Sequence, residues 1–148
     1  MRLPALLPAL CLLIAGCASA GAPWVELAGK RYAVEVANTD AAREHGLMFR
    51  KHMDADHGML FVHERQTPLA YWMKNTLIPL DILFFDNQRR LVSQQRDVPP
   101  CTLGDACPAY PSAAPARYVL ELNAGQASKL SLLDGATLRI DPAVVVAP

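Results

Sequence analysis

The sequence predicts a single, mostly β domain, a β-sandwich or partly open barrel with one or two short helices. Three observations lead there. Short apolar runs recur between turn signals, and helical periodicity is confined to two brief stretches. The run Leu80-Asp81-Ile82-Leu83-Phe84-Phe85, closed by Asp86, lacks the alternation of a half-wet strand and therefore predicts a strand covered on both faces. No alternation of strand with long helix supports a doubly wound sheet, and no internal repeat is visible. The 148 residues suffice for one domain with a sizeable core and are too few for two comfortable ones.

The chain opens with a segment expected to be processed. Met1 and Arg2 are a short basic start, Leu3 to Ile14 are apolar apart from Pro4 and Pro8, and small residues follow. This is the pattern of a secretion signal, too short for a transmembrane helix. Ile14-Ala15-Gly16-Cys17 has the form of a bacterial lipobox, and Ala18 behind it fits lipoproteins sent to the outer membrane. The expected plan is a lipoprotein signal peptide at 1–16, a lipidated tether at 17–23 beginning at Cys17, a β domain at 24–141 and a C-terminal tail at 142–148. Its expected place is the periplasmic face of the outer membrane, held by acyl chains. The competing expectation is cleavage after Ala18-Ser19-Ala20, which discards Cys17 and leaves a periplasmic or secreted protein.

Cysteine use and charge agree with export. Cys11 leaves with the leader and Cys17 takes lipid, so Cys101 and Cys107 are the remaining thiols in an oxidising compartment, where a structural disulfide is expected. Five residues separate them, unlike the two of a redox-active pair. Without Arg2, 13 basic side chains face 14 acidic ones, scattered without a basic run, which argues against a nucleic-acid partner.

Along the domain, Trp24 to Leu27 and Arg31 to Val36 form a hairpin around Gly29-Lys30, with one wet face. Asn38, Thr39 and Asp40 offer caps for a helix through His45, and Gly46 ends it. Met59 to Val62 predict a strand ending at His63-Glu64-Arg65, and Pro68 to Met73 an extended piece. After the turn at Asp86 to Arg89, Leu91 to Ser93 start a further strand. Pro99 to Pro115 hold five prolines in 17 residues and read as a long ordered loop, whose length favours a functional role. Arg117 to Leu122 predict a strand with Tyr118, Leu120 and Leu122 on one face; Asn123 is expected to cap a helix through Lys129. Asp134-Gly135 then turn the chain into a closing strand, Ala136 to Ile140.

The residues with chemistry to offer lie between the apolar runs. Lys74, Asn75 and Thr76 form a polar knot close to the core, on a turn that Pro79 helps to fix. Lys74, Asn75 and Asp81 suit an anionic or hydroxyl-rich ligand, with Trp72 or Tyr71 as a stacking surface and Tyr110 and Ser112 as a second wall. The plainer expectation makes Lys74–Asp81 an ion pair and Asn75 a turn cap. His45, His52, His57 and His63 lie near Met48, Met53, Met59 and Met73, a ligand set that would suit copper. Their spacing places them on no common face, however, and no metal site or cofactor is assigned. Phosphate-loop, dinucleotide, zinc-protease and calcium-loop motifs are absent, and no catalytic residue is assigned.

Several segments together resemble domain-of-unknown-function family 192, a widespread and often exported prokaryotic family. They are Glu44-His45-Gly46-Leu47-Met48-Phe49-Arg50, Gly58-Met59-Leu60-Phe61, and Trp72-Met73-Lys74-Asn75-Thr76-Leu77-Ile78-Pro79-Leu80-Asp81-Ile82. Pro100-Cys101, Cys107-Pro108-Ala109-Tyr110 and Pro115 to Leu122 with Ala124-Gly125 complete the likeness, over about residues 25 to 141. The resemblance implies a compact β domain, makes the Trp72–Asp81 knot and the Tyr110 loop part of the family pattern, and carries no activity. The favoured expectation is an envelope lipoprotein binding a small polar molecule or glycan at a cleft formed by Trp72, Lys74, Asn75, Asp81, Tyr110 and Ser112. The alternatives are a structural lipoprotein with an envelope protein partner, a hydrolase using Asp81 or Glu121 in a pocket, and a copper protein.

Overall fold

The computed structural model describes residues 21–144. The expected signal peptide, Cys17 with the first residues of the expected tether, and the end of the tail lie outside them. Nine strands and two short helices follow in order: β1 (Trp24–Leu27), β2 (Lys30–Ala37), α1 (Asp40–His45), β3 (His57–Thr67), β4 (Ala70–Trp72), β5 (Leu80–Phe85), β6 (Leu91–Val98), β7 (Ala109–Pro111), β8 (Ala116–Asn123), α2 (Gln126–Lys129) and β9 (Leu138–Ile140). Seven strands make one sheet in the order β6-β5-β8-β3-β2-β1-β9, antiparallel except for β2 with β3. β4 and β7 pair separately.

The large sheet curls until its edges meet. Leu91 N–H donates to Ala136 O at 2.8 Å and Leu138 N–H to Arg89 O at 2.8 Å, so the start of β6 is bonded to the entry of β9. The remainder of β6 stays outside this seam, and the result is a partly open barrel. Its interior is filled by Val25, Leu27, Val34, Leu60, Leu83, Phe85, Leu120 and Leu122 with their neighbours.

A second apolar layer lies on the outer face of β3, β5 and β8. Phe61, Ile82, Phe84 and Val119 are buried there beneath Leu47, Met53 and Met73, with Tyr71 and Tyr110 of the small sheet packed over them. All six residues of β5 are buried, the physical content of a strand without alternation.

Local signals explain the short elements. Thr39 is the N-cap of α1, its Oγ1 accepting from Ala42 N–H at 3.2 Å, and Gly46 ends the helix at a φ of 47°. Two expectations change. Asn123 does not cap α2, which follows Gly125 without a side-chain cap; the Asn123 amide instead donates to Met53 O at 2.7 Å. The proline-rich stretch contains an element after all, because β7 pairs with β4 beyond a 3-10 turn at Gly104–Ala106. Proline is tolerated there since a two-stranded ribbon leaves one side of each strand unpaired.

Candidate functional site

The segment between β4 and β5 is held from two sides. Cys101 makes β-bridges with both Lys74 and Thr76, and Cys101 N–H donates to Thr76 O at 3.2 Å. The disulfide Cys101–Cys107 closes the loop that provides these contacts. Asn75 adopts a φ of 54°, which asparagine tolerates better than most residues, and its carbonyl accepts from Phe49 N–H at 2.8 Å. Asn75 is therefore a turn residue that ties the knot to the loop after α1.

Lys74 points toward the outer rim. Its ammonium pairs with Asp105 on the disulfide loop and sits 5.1 Å from the centre of the Trp72 ring. The hydrogen bond and charge of Lys74 hold the Asp105 carboxyl below the usual carboxylate range. Trp72 is 42% exposed, so its ring offers a free surface beside a fixed cation.

The expected partnership of Lys74 with Asp81 does not form. Asp81 alternates with Leu80 and Ile82, which face the outer layer, and so it points to the barrel interior and is fully buried. Its two carboxylate oxygens accept from Asp97 N–H at 2.9 Å and Ala127 N–H at 2.7 Å, joining a bulge of β6 to the first turn of α2. Asp81 is thus a brace between elements on the far side of the sheet from Lys74. Ser112 is also committed to structure, its Oγ accepting from Leu69 N–H at 3.1 Å while its N–H donates to Leu69 O at 2.8 Å. Tyr110 is opposite Tyr71 in the small sheet and packs on the outer layer.

Trp72 and Lys74, by contrast, border a cavity of about 320 Å³ between α1, β3, β4 and β8. Leu47, Met48 and Phe61 give it apolar walls, Arg43 and His45 come from α1, and His63 and Tyr71 stand opposite. Glu121 closes the floor; it lies on the outer face of β8, opposite Met59 of β3 and Ile82 of β5, and is 4% exposed. Among the described residues it makes no hydrogen bond or ion pair. Burial pushes its pKa up to about 8, so at neutral pH it is an acid able to donate a proton.

Beside it, His63 Nε2 and the Tyr71 hydroxyl are 2.9 Å apart. Burial, then the charge of Arg43, holds His63 below the usual histidine range. Burial first, and Glu121 second, raise the Tyr71 phenol. Phe61 and Phe84 meet the Tyr71 ring edge-on at 5.0 and 5.8 Å and fix its position. Arg43 is anchored by Asp40 and by Val62 O at 2.8 Å.

Of the expected site residues, the fold therefore brings together Trp72 and Lys74, with Asn75 as a support. Asp81, Tyr110 and Ser112 face elsewhere. Glu121, named with Asp81 as a carboxylate that a pocket could activate, is the one that reaches a cavity. The histidines divide: His45 and His63 line the cavity, while His52 and His57 bond Asp54 and Asp56 at the surface. Among the described residues no group of three or more His, Cys, Asp or Glu side chains is placed to hold a metal ion.

The chain matches the family described as Uncharacterized ACR, domain-of-unknown-function family 192, over residues 24–140. No curated protein matches it. Among solved structures, two similar crystal structures illustrate the likeness. A protein of unknown function from Novosphingobium aromaticivorans is 30% identical, with a TM-score of 0.74 over 81% of this chain and 94% of its own. A protein from Sinorhizobium meliloti described as a "putative transcription regulator" is 36% identical, with a TM-score of 0.73 over 80% of this chain and 92% of its own. With the family match spanning the whole barrel and its outer layer, the chain belongs to domain-of-unknown-function family 192.

Proposed function

We propose that this chain is an envelope lipoprotein that binds a small polar ligand in the cavity beside the Trp72–Asp81 segment. One observation carries the binding half: a cavity of about 320 Å³ that has an exposed indole and an ammonium at its mouth and a buried, unpaired carboxyl at its floor. This is the usual composition of a small-molecule site, mostly apolar walls with a few convergent polar groups. The volume sits at the low end for such sites and favours a compact molecule over an extended glycan. Thermal-shift and NMR titration with panels of small organic acids, amines and monosaccharides tests it. Trp72→Ala and Lys74→Ala should weaken any hit found with the wild type. Hits that survive both substitutions would place binding elsewhere.

The lipoprotein half rests on Ile14-Ala15-Gly16-Cys17 and on a tether of only a few residues before β1. Blocking lipoprotein signal cleavage in expressing cells should leave a heavier, diacylated precursor. An unchanged band would reject Cys17 as the anchor.

A second reading, a lipoprotein that docks on an envelope protein, is favoured by Phe49, Leu77 and Leu103, which are 61%, 37% and 70% exposed. Phe49 and Leu77 adjoin Asn75 and Thr76, and Leu103 follows Cys101 on the disulfide loop, so all three border the same knot. Regulation of transcription, the description of one similar protein, has no such support here, since the charge is balanced and no basic run is present.

A further inference from the structure

A carboxyl at the floor of an apolar cavity restricts what can be seated against it. Glu121 has no cationic or hydrogen-bonding partner among the described residues, and an ionised carboxylate there would lose hydration with no compensation. The groups that share its cavity are Arg43, Glu44 and His45 from α1, His63 from β3, Tyr71 from β4 and Lys74 from the knot. Arg43 is tied to Asp40, Lys74 to Asp105 and His63 to Tyr71, and Glu44 and His45 are exposed, which leaves the Glu121 O–H as the buried uncommitted donor.

We propose that this cavity receives a small organic carboxylate with an apolar body, that one carboxylate oxygen accepts the Glu121 O–H, and that ionisation of Glu121 expels the ligand. The inference rests on the cavity being a binding site, as argued above. Three features support the choice of ligand. A hydrogen bond from a carboxylic acid to a carboxylate is charge-assisted and short, and it strengthens where water is excluded. Leu47, Met48, Phe61 and Trp72 match an aromatic or branched aliphatic body, whereas the several hydroxyls of a sugar would meet too few partners. Arg43 and Lys74 line the cavity while the carboxylates paired with them, Asp40 and Asp105, stand outside its lining, so the charged donors nearest a ligand's carboxylate are cationic. Once Glu121 ionises, two carboxylates would face each other at hydrogen-bonding distance, and binding fails by like-charge repulsion.

The test follows the Trp72 indole N–H by ¹⁵N NMR while the purified protein is titrated with phenylacetate, benzylamine or methyl glucoside at pH 6 and pH 9. Phenylacetate should shift this signal at pH 6 and bind roughly tenfold more weakly at pH 9, the loss expected for an acid with a pKa of about 8. Glu121→Gln should bind phenylacetate with nearly equal affinity at both values, because its amide N–H donates at either. Both proteins keep His45 and His63, so the difference between them belongs to Glu121. A pH-independent wild type, or the same fall in Glu121→Gln, overturns the inference. If benzylamine or methyl glucoside shifts Trp72 and phenylacetate does not, the carboxylate assignment fails while the cavity stands as a site. If none of the three shifts Trp72, the inference fails and the cavity loses its support as a binding site.

Discussion

Glu121 and Asp81 are both buried acids of central strands, yet their surroundings give them opposite duties. Asp81 meets two backbone N–H groups and braces the β6 bulge against α2, while Glu121 meets none and faces a cavity. Their substitutions should therefore act in opposite directions. Asp81→Asn keeps the volume but leaves a single carbonyl oxygen for the N–H groups of Asp97 and Ala127, and turns an amide N–H toward one of them. The loss should be about 2–3 kcal/mol, seen as a lower midpoint in urea unfolding with little change in slope. For Glu121 the sign runs through linkage. Its pKa rises from 4.5 to about 8 on folding, so the folded state holds this proton in a range where the unfolded state has released it. Its burial is therefore tolerated at pH 4.5 and below, and stability is lost as pH rises through about 8. Glu121→Gln removes this dependence. The variant should gain in stability over the wild type as pH rises from 5 to 8, by on the order of a few kcal/mol at most, read as a widening gap in melting temperature that levels off above. A constant difference across that range would mean that Glu121 does not titrate as described.

Four residues, Trp72, Lys74, Glu121 and Asp81, show what a sequence discloses at this scale. Trp72 and Lys74 stand out because an indole and an ammonium beside the core are unusual together. Glu121 is hard to see because Tyr118, Leu120 and Leu122 make β8 look half-wet, with Glu121 on the side expected to face water. That side is dry only because the loop after α1, the knot and the β4–β7 ribbon lie over it, a tertiary fact. Asp81 could have been placed by parity, since alternation sets it with Leu83 and Phe85 and away from Leu80, Ile82 and Phe84.

Elements were legible where local chemistry decides them, and less so where pairing does. The caps of α1 and the burial of β5 follow from single residues and from a run of apolar ones. β3 extends to Thr67 through the polar His63 to Gln66, and β6 to Val98 through Gln94 to Asp97, because neighbouring strands extend both beyond their apolar cores. β7 depends on β4 for its existence, so the proline-rich loop gives no sign of it. The disulfide, expected from compartment and count, turns out to bear on the site through Cys101, which bridges Lys74 and Thr76. Replacing Cys101 and Cys107 together by serine should cost roughly 2–3 kcal/mol by the chain-entropy relation. It should also free Asp105 from Lys74, broadening the Trp72 and Lys74 resonances while those of β5 and β8 stay sharp. Uniform broadening would show that the loop supports the whole fold and not this knot.

At the scale of the molecule, the position of the cavity depends on curvature. A flat sheet of seven strands would leave β6 and β9 as two open edges, a liability for pairing with other chains. Here the twist carries one edge round to the other, and Arg89 to Leu91 bond Gly135 to Leu138. Closure at this end keeps β5, β8 and β3 convex toward the outer layer, the surface on which α1, β4 and the knot are laid to frame the cavity. β9 has three residues, and as a free edge its amides would exchange readily. In the closed arrangement Leu138 N–H donates across the seam to Arg89 and Leu91 N–H donates to Ala136, so both should be protected like interior strands. Hydrogen exchange followed by NMR should find these two amides at least about 100-fold slower than those of the exposed turn at Leu133 and Asp134. Fast exchange at both would mean that the barrel is open in solution at this end. Slow exchange at Leu138 that is lost in Leu91→Pro, where the partner strand can no longer donate, would show the two edges to be held as one cooperative unit.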